Sequence, residues 1–184
     1  MGKNLPPPRL DDNARTEALV LWETLPKNNA IVRPAQNVDV GLLESGNGCF
    51  VQGWTQDAAW WNLGLVYGGV WIGANLSRAP HMRNFLARLP YRHEIIIAGI
   101  SVLGPGASIP LHHDEPPERR GAFRVHHYGL FGEGTLWVGG AEGRIVRPGD
   151  HLSFDDADDH SATNVSTVHP RGILYVKRRL RNPK

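Results

Sequence analysis

Short apolar runs separated by glycine and proline turns fill the second half of this chain, and they constrain its fold more than any other feature. Five such runs follow Pro90: residues 94–103 (EIIIAGISVL), 121–131 (GAFRVHHYGLF), 134–140 (GTLWVGG), 143–155 (GRIVRPGDHLSFD) and 171–180 (RGILYVKRRL). Runs of this length, rich in β-branched and aromatic residues, are typical of strands. The pattern predicts a closed or double-sheet antiparallel β-fold.

The first half of the chain predicts helices packed outside this β-core. Residues 12–25 fit a helix that Asp12 or Asn13 would cap, and residues 80–89 fit a second one, begun by Pro80 and stopped by Pro90. The residues predicted to face inward are Ala18, Leu19, Leu21 and Trp22 in the first helix, and Met82, Phe85, Leu86 and Leu89 in the second. Between the helices, residues 30–78 indicate strands or turns and carry four tryptophans.

Length and composition limit the classes of function. A chain of 184 residues suffices for one domain, so we expect residues 1–79 to elaborate a core at residues 80–180. A net charge of +2 is too small to indicate nucleic-acid binding. The sequence contains no apolar run of 18 residues, no apolar signal segment in residues 1–10, and one cysteine, Cys49. We expect a cytoplasmic protein without a membrane span or an internal disulfide.

A histidine and an aspartate two positions apart, followed later by a lone histidine, indicate a metal site. The residues are His112, Asp114 and His160, and two imidazoles with one carboxylate are the facial ligand set of non-haem Fe(II) oxygenases. In a strand, residues i and i+2 share a face, so His112 and Asp114 would bind one ion. The spacing by itself is also compatible with histidines that only lie on the surface or in the core. It also leaves His113 as a competing ligand.

The C-terminal half resembles the aspartyl/asparaginyl β-hydroxylase family of Fe(II)- and 2-oxoglutarate-dependent oxygenases. The resemblance covers residues 85–180, and its parts occur in the family's order: FLARLP, a strand with Ser101, GPGASIPLHHDEP, RVHHYGL, PGDHLSFDDADDH and RGILYV. It implies a double-stranded β-helix, or cupin-like jelly roll. It also implies Fe(II), 2-oxoglutarate as cosubstrate, and O2.

The resemblance assigns a role to each matching residue. His112, Asp114 and His160 would be the metal ligands. Arg171, which opens the last strand, would bind the distal carboxylate of 2-oxoglutarate, for which a guanidinium fork is suited. The remaining cosubstrate contacts would be Ser101, Arg124 and His126.

Two departures from the family pattern affect these roles. The chain has two histidines, His126 and His127, where the family has one before its Leu-Gly-Leu stretch. Either His127 is the match and Arg124 is one place out of register, or His126 is the match and a one-residue bulge follows. We expect the second, because Arg124 and His126 then share a face. The interval from His160 to Arg171 is also one residue longer than in the family.

Several features carry a structural interpretation beside a functional one. Trp60 and Trp61 are neighbours, so only one can face the core of a strand; the aromatic rings of residues 50–75 either pack there or line a substrate mouth. Asp155 and Asp156 indicate turn or cap carboxylates, with a further role in orienting His160. The basic run at residues 177–181 indicates a solvated strand end.

These observations predict a hydroxylase. The family acts on aspartyl and asparaginyl side chains, on lipid A acyl chains and on small molecules, and we expect a peptide, an amino acid or an amino-acid-derived small molecule here. Two alternatives stay open. One is a cupin-type metalloenzyme that does not use 2-oxoglutarate, against which Arg171 and Ser101 count. The other is a non-catalytic binding module, which would not need the triad. The sequence does not indicate an oligomeric state.

Overall fold

The computed structural model describes residues 8–28, 48–53 and 59–180. The strands are β1 (Lys27–Asn28), β2 (Phe50–Gln52), β3 (Trp60–Tyr67), β4 (Val70–Trp71), β5 (Ile95–Leu103), β6 (Ser108–His112), β7 (Phe123–Phe131), β8 (Gly134–Val138), β9 (Arg144–Val146), β10 (His151–Asp155), β11 (His160–Asn164) and β12 (Arg171–Arg179). The helices are α1 (Asp12–Thr24), α2 (Gly73–Leu76) and α3 (Pro80–Arg88), with 3-10 turns at Arg92–Glu94 and Pro117–Arg119. Residues 30–47 and Trp54, for which we expected strands or turns, lie outside the described residues.

The strands form two sheets. The larger has the order β1-β2-β3-β5-β12-β7-β10, with β4 paired to β3, and the smaller has the order β6-β11-β8-β9. Within the described chain, β1 and β2 pair in parallel, and the other ladders are antiparallel. From β5 onward the chain passes back and forth between the two sheets, with only the hairpin β8–β9 staying in the smaller one, so it winds as a double-stranded β-helix. The fold implied by the resemblance is confirmed.

One apolar core fills the space between the larger sheet and the helices. From α3 it contains Met82, Phe85 and Leu86, all with 0% exposure, and from α1 it contains Ala14, Ala18 and Leu21. Burial of side chains of this size stabilises the fold by about 1.5–3 kcal/mol for each large residue. Glu17 of α1 accepts hydrogen bonds from the backbone N–H groups of His81 and Met82, at 2.9 and 2.8 Å, and so caps the N-terminus of α3.

The second core lies between the two sheets, next to an open cavity. Val125, Leu136 and Phe154 belong to it. Strand β12 contributes side chains both to the cavity and to the helix-side core, because successive residues point to opposite faces of the sheet. Arg171, Ile173, Tyr175 and Lys177 line the cavity, whereas Leu174 and Val176 face the helices.

Several sequence predictions need correction in detail. Asp11, not Asp12 or Asn13, caps α1, because its side chain accepts the Ala14 N–H at 2.8 Å. Leu19 was expected to face inward but is 36% exposed. The strand expected at residues 143–155 is two strands, β9 and β10, separated by a turn at residues 147–150. In the described part of the chain, the helices are too short to cross a membrane.

Candidate metal centre

A cavity of about 340 Å³ lies between the two sheets. The larger sheet contributes alternate residues of β5 and β12, and the smaller sheet contributes residues of β6, β8 and β11. Polar and ionisable groups reach it from several strands: Asn62, Ser101, His112, His127, His160 and Arg171. A largely apolar cavity with a few converging polar groups is the usual form of a small-molecule site.

His112, Asp114 and His160 lie together at this cavity, and their candidate ligand atoms are all within 4.8 Å of one another. Nε2 of His112 lies 3.8 Å from one carboxylate oxygen of Asp114, and Nε2 of His160 lies 3.8 Å from the other. The two histidines face each other because β6 and β11 pair with His112 opposite His160. Among the described residues, this is the one group of three or more histidine, cysteine, aspartate or glutamate side chains close enough together to hold a metal ion.

Backbone carbonyls orient both imidazole rings. Nδ1 of His112 donates to the Pro110 carbonyl at 2.7 Å, and Nδ1 of His160 donates to the Asp158 carbonyl at 2.9 Å. A carbonyl oxygen only accepts, so both protons lie on Nδ1 and both Nε2 lone pairs point toward Asp114. Burial lowers the pKa of His160 and favours its neutral form. Neutral imidazole is the form that binds a metal.

Asp114 reaches the cluster by a different route from the one we expected. Strand β6 ends at His112, and Asp114 lies in the bend that follows rather than two positions along the same strand. Its backbone N–H and that of Glu115 donate to the Asp156 carbonyl, at 3.3 and 3.2 Å. Turn contacts, and not strand geometry, therefore bring this carboxylate to the histidines.

His113 points away from the cluster. Its Nδ1 lies 3.0 Å from the Asp159 carboxylate, and 46% of its side chain is exposed. This orientation separates the two adjacent histidines, because successive residues of an extended chain point in opposite directions.

Arg171 lines the same cavity and carries unused hydrogen-bond donors. The residue is 3% exposed, and its Nε and Nη2 atoms are buried without a hydrogen-bond partner in the described part of the chain. Burial lowers the pKa of Arg171 to about 10, so the guanidinium remains charged at neutral pH. A buried cation without an acceptor is costly, and this arrangement indicates that an anion completes the site.

Ser101 also faces the cavity, and a tryptophan positions it. The indole Nε1–H of Trp60 donates to the Ser101 hydroxyl oxygen at 2.6 Å. The hydroxyl group retains its own proton to donate. Trp60 lines the cavity, whereas Trp61 packs against the helix-side core near Trp22, so the adjacent tryptophans take opposite faces of β3.

Arg124 and His126 require a correction, because they share the face of β7 that turns away from the cavity. His126 stacks on Tyr91 at 4.6 Å between ring centroids, lies 3.1 Å from His151, and accepts a hydrogen bond from Arg178. His127 lines the cavity instead. The register shift between β7 and β12 falls between Gly129 and Phe131, beyond the position we expected, so the alternation of β7 turns His127 inward.

His127, the second of the two candidate histidines in the sequence, is the one that lines the cavity. Its Nδ1 is buried without a hydrogen-bond partner among the described residues. Burial, and then the charge of Arg171, hold the pKa of His127 well below its usual range, so the ring is neutral. A neutral imidazole between Arg171 and His160 offers one donor or acceptor to a bound ligand.

Lys177 is a further cavity residue, and it corrects our expectation that the basic run at residues 177–181 is solvated. It is 9% exposed, and its ammonium group pairs with Asp156 and, at 2.7 Å, with Glu115. The two carboxylates raise the pKa of Lys177 despite its burial. Asp155 is the last residue of β10, and its carboxylate accepts the Gly121 and Ala157 N–H groups at the turn that follows.

The model of the family described as aspartyl/asparaginyl beta-hydroxylase matches residues 44–179, more than half of the chain. A curated relative, an uncharacterised protein of Acanthamoeba polyphaga mimivirus, is 28% identical over 129 residues. That alignment covers 69% of this chain and 46% of the relative, so the chain spans about half of the relative's length.

Solved structures with a similar arrangement of strands share little sequence with the chain. One, described as a predicted oxalate decarboxylase from Thermotoga maritima, is 21% identical with a TM-score of 0.45, over 66% of this chain and 81% of that one. Another, a Cupin_2 domain of an XRE family transcriptional regulator from Enterobacter cloacae, is 20% identical with a TM-score of 0.41, over 48% and 84% of the two chains. These likenesses carry no information on chemistry. The family is shown by the match to the family model over residues 44–179: the chain belongs to the aspartyl/asparaginyl β-hydroxylase family.

Proposed function

We propose that the protein is an Fe(II)- and 2-oxoglutarate-dependent hydroxylase. Its substrate would be a peptide, an amino acid or an amino-acid-derived small molecule. The observation that carries the proposal is the buried guanidinium of Arg171, whose Nε and Nη2 have no hydrogen-bond partner among the described residues, in the same cavity as His112, Asp114 and His160. A dicarboxylate that binds a metal ion at one end and Arg171 at the other satisfies both features.

The three-residue cluster fits a divalent metal ion. The candidate ligand atoms lie within 4.8 Å of one another, and two atoms that each lie about 2.1 Å from one ion are at most about 4.2 Å apart. The two 3.8 Å contacts join the histidine Nε2 atoms to different oxygens of Asp114, so binding of one ion would require a small adjustment of the Asp114 side chain. Two imidazoles and one carboxylate suit Fe(II) and leave coordination positions open. Asp114 is 46% exposed at its side chain, which leaves that side of the centre accessible.

The carboxylate site at Arg171 supports 2-oxoglutarate as cosubstrate. The guanidinium offers two unused donors, Nε and Nη2, in the geometry that a carboxylate accepts. Ser101 adds a hydroxyl proton, and His127 adds the unpartnered Nδ1. A cupin-type enzyme that does not use a dicarboxylate would leave Arg171 buried and unpaired, so we rank that alternative second.

The roles of the protein follow from these contacts. Fe(II) with 2-oxoglutarate and O2 supplies the oxidising chemistry, and the protein supplies binding and orientation. His112 and His160 hold a fixed tautomer through their Nδ1 hydrogen bonds. Arg171 fixes the far end of the cosubstrate. The apolar wall, which includes Leu136 and Val125, excludes water from the reacting groups.

Equilibrium binding of 2-oxoglutarate to the protein loaded with Mn(II), a redox-stable substitute for Fe(II), tests the proposal. We expect metal-dependent binding. Arg171→Met should weaken it about 30-fold or more, because breaking a buried charge pair costs about 2 kcal/mol or more. Arg124→Met is the matched control, because Arg124 lies on the other face of the larger sheet, and it should leave the affinity unchanged. Equal affinities of the wild type and Arg171→Met would refute the anchor.

A further inference from the structure

We propose that Lys177 is a positioning residue for the metal centre: it holds the bend that carries Asp114 in place through Glu115 and Asp156. This inference rests on the proposed function, since it assumes that Asp114 is a metal ligand. It concerns a residue that touches neither the metal ion nor 2-oxoglutarate in our assignment.

Asp114 needs support that the two histidines do not. His112 and His160 lie in paired strands, and their rings are held by backbone carbonyls. Asp114 follows the end of β6, and its backbone is held by one N–H contact of 3.3 Å to the Asp156 carbonyl. Its position therefore depends on what fixes the neighbouring Glu115 and the turn that contains Asp156.

Lys177 fixes both. Its ammonium group lies 2.7 Å from the Glu115 carboxylate and also pairs with the Asp156 carboxylate. These three side chains are well shielded from water, with 11% exposure for Lys177, 11% for Glu115 and 0% for Asp156. Lys177 belongs to β12, an interior strand of the larger sheet that pairs along its length with β5 and β7, and thus ties the bend to the most extensively paired part of the fold.

The charges show why this tie is required. Asp114, Glu115 and Asp156 are three carboxyl groups in one small region; Asp156 is buried and Glu115 is half-buried. Like charges at this proximity repel strongly when water is excluded. Without the ammonium group, Glu115 gains by turning toward solvent, where Arg119 already binds its second oxygen at 2.7 Å. Such a rotation would draw Asp114 away from His112 and His160.

The positioning role and a simple charge effect predict opposite results. Removing a positive charge near a cation site strengthens cation binding if the ligands stay in place. Displacing Asp114 weakens cation binding, and loss of a partner that orients a ligand typically costs 10–100-fold in metal affinity. The sign of the change therefore separates the two effects.

The experiment measures Mn(II) affinity by calorimetry and the visible absorption spectrum of the Co(II)-loaded protein. We expect Lys177→Met to weaken Mn(II) binding about 10–100-fold and to change the Co(II) spectrum. Lys177→Arg, which keeps the charge and can reach both carboxylates, should restore most of the affinity. If Lys177→Met does not fold, Lys177→Gln replaces it, with the same expected direction.

Arg178→Met is the matched control. Arg178 is the next residue of β12 and forms a half-buried ion pair with Glu94 at 2.9 Å, on the opposite face. This variant should lose stability, as measured by thermal unfolding, but bind Mn(II) with wild-type affinity. Unchanged or tighter Mn(II) binding by folded Lys177→Met would overturn the positioning role. Absence of Mn(II) and Fe(II) binding by the wild type would instead overturn the proposed function.

Discussion

His112 and His160 face each other across the pairing of β6 and β11, with their ring centroids 4.3 Å apart. Each ring donates its Nδ1 proton to a backbone carbonyl, which turns both Nε2 atoms toward Asp114. This relationship makes the two histidines a preformed pair. The adjacent His113 pairs with Asp159 outside the cluster. A substitution of His113 is therefore a suitable control for a substitution of His112.

Metal ions should therefore stabilise the wild type and His113→Ala but not His112→Ala. At a metal concentration 100 times the dissociation constant, binding adds about 2.7 kcal/mol to the free energy of unfolding. For a chain of this size that raises the melting temperature by roughly 5–10 °C. Thermal unfolding with and without anaerobic Fe(II) measures the shift. A full shift in His112→Ala would show that the metal binds elsewhere.

Gly134 should prove necessary for the position of Arg171. A Cβ atom at Gly134 would lie 2.4 Å from Cδ of Arg171 and 2.4 Å from the Thr163 carbonyl oxygen. Gly134→Ala should cost about 1–3 kcal/mol of stability, because the neighbouring strand must shift, and should weaken 2-oxoglutarate binding. Gly73→Ala is the control, since nothing lies within 4 Å of its Cβ position. Unchanged 2-oxoglutarate affinity in Gly134→Ala would contradict the assignment of Arg171 as a contact of the cosubstrate.

Replacement of the two adjacent histidines of β7 should have different effects on the cosubstrate. His127→Leu removes a group that lines the cavity with an unpartnered Nδ1, and we expect weaker 2-oxoglutarate binding. His126→Leu removes a group on the helix side, where it accepts from Arg178, and we expect lower stability with unchanged affinity. Calorimetric titration of both Mn(II)-loaded variants distinguishes them, and the reverse pattern would restore His126 as the cosubstrate contact.

Acid should destabilise the protein through His126. Burial, then the nearby His151, Arg178 and Arg124, lower its pKa from 6.5 to about 3 in the folded state. The folded protein thus binds fewer protons than the unfolded chain between these values. The contribution of His126 is fully present above pH 6.5 and is lost as the pH falls toward 3, by up to about 1.4 kcal/mol per pH unit.

Urea unfolding at pH 7, 6 and 5 measures this dependence. The control is His126→Gln, whose amide oxygen can accept from Arg178 but does not titrate. Other buried histidines, such as His127, act in the same direction and remain in the variant. The variant should therefore have a shallower, not a flat, dependence on pH. Identical slopes for the two proteins would contradict the burial of a neutral His126.

The sequence predicted best those strands whose apolar runs are long and continuous. The run at residues 94–103 became β5 and that at 171–180 became β12, each with a difference of one residue at one end. Burial on both faces makes such strands apolar throughout, which is the signal that periodicity detects. Strands β6 and β11 were not among the predicted apolar runs, because SIPLH is short and contains a proline and HSATN is short and mostly polar.

The facing of side chains was harder to predict than the strands themselves. A shift of one residue turns every side chain of a strand to the opposite sheet face, and the choice between His126 and His127 depended on such a shift. The bulge lies near Leu130 rather than directly after His126. Lys177 was missed for another reason: its charge suggested solvent, although it shares the alternation of Arg171 along β12.

Release of succinate from 2-oxoglutarate tests the proposed hydroxylase most directly. The assay supplies Fe(II), O2 and a library of peptides and free amino acids, with His112→Ala and His113→Ala as paired variants. The account predicts succinate formation that requires Fe(II), is retained by His113→Ala and is lost in His112→Ala. Equal succinate release by His112→Ala and the wild type, or no release by wild-type protein that has bound both Fe(II) and 2-oxoglutarate, would contradict it.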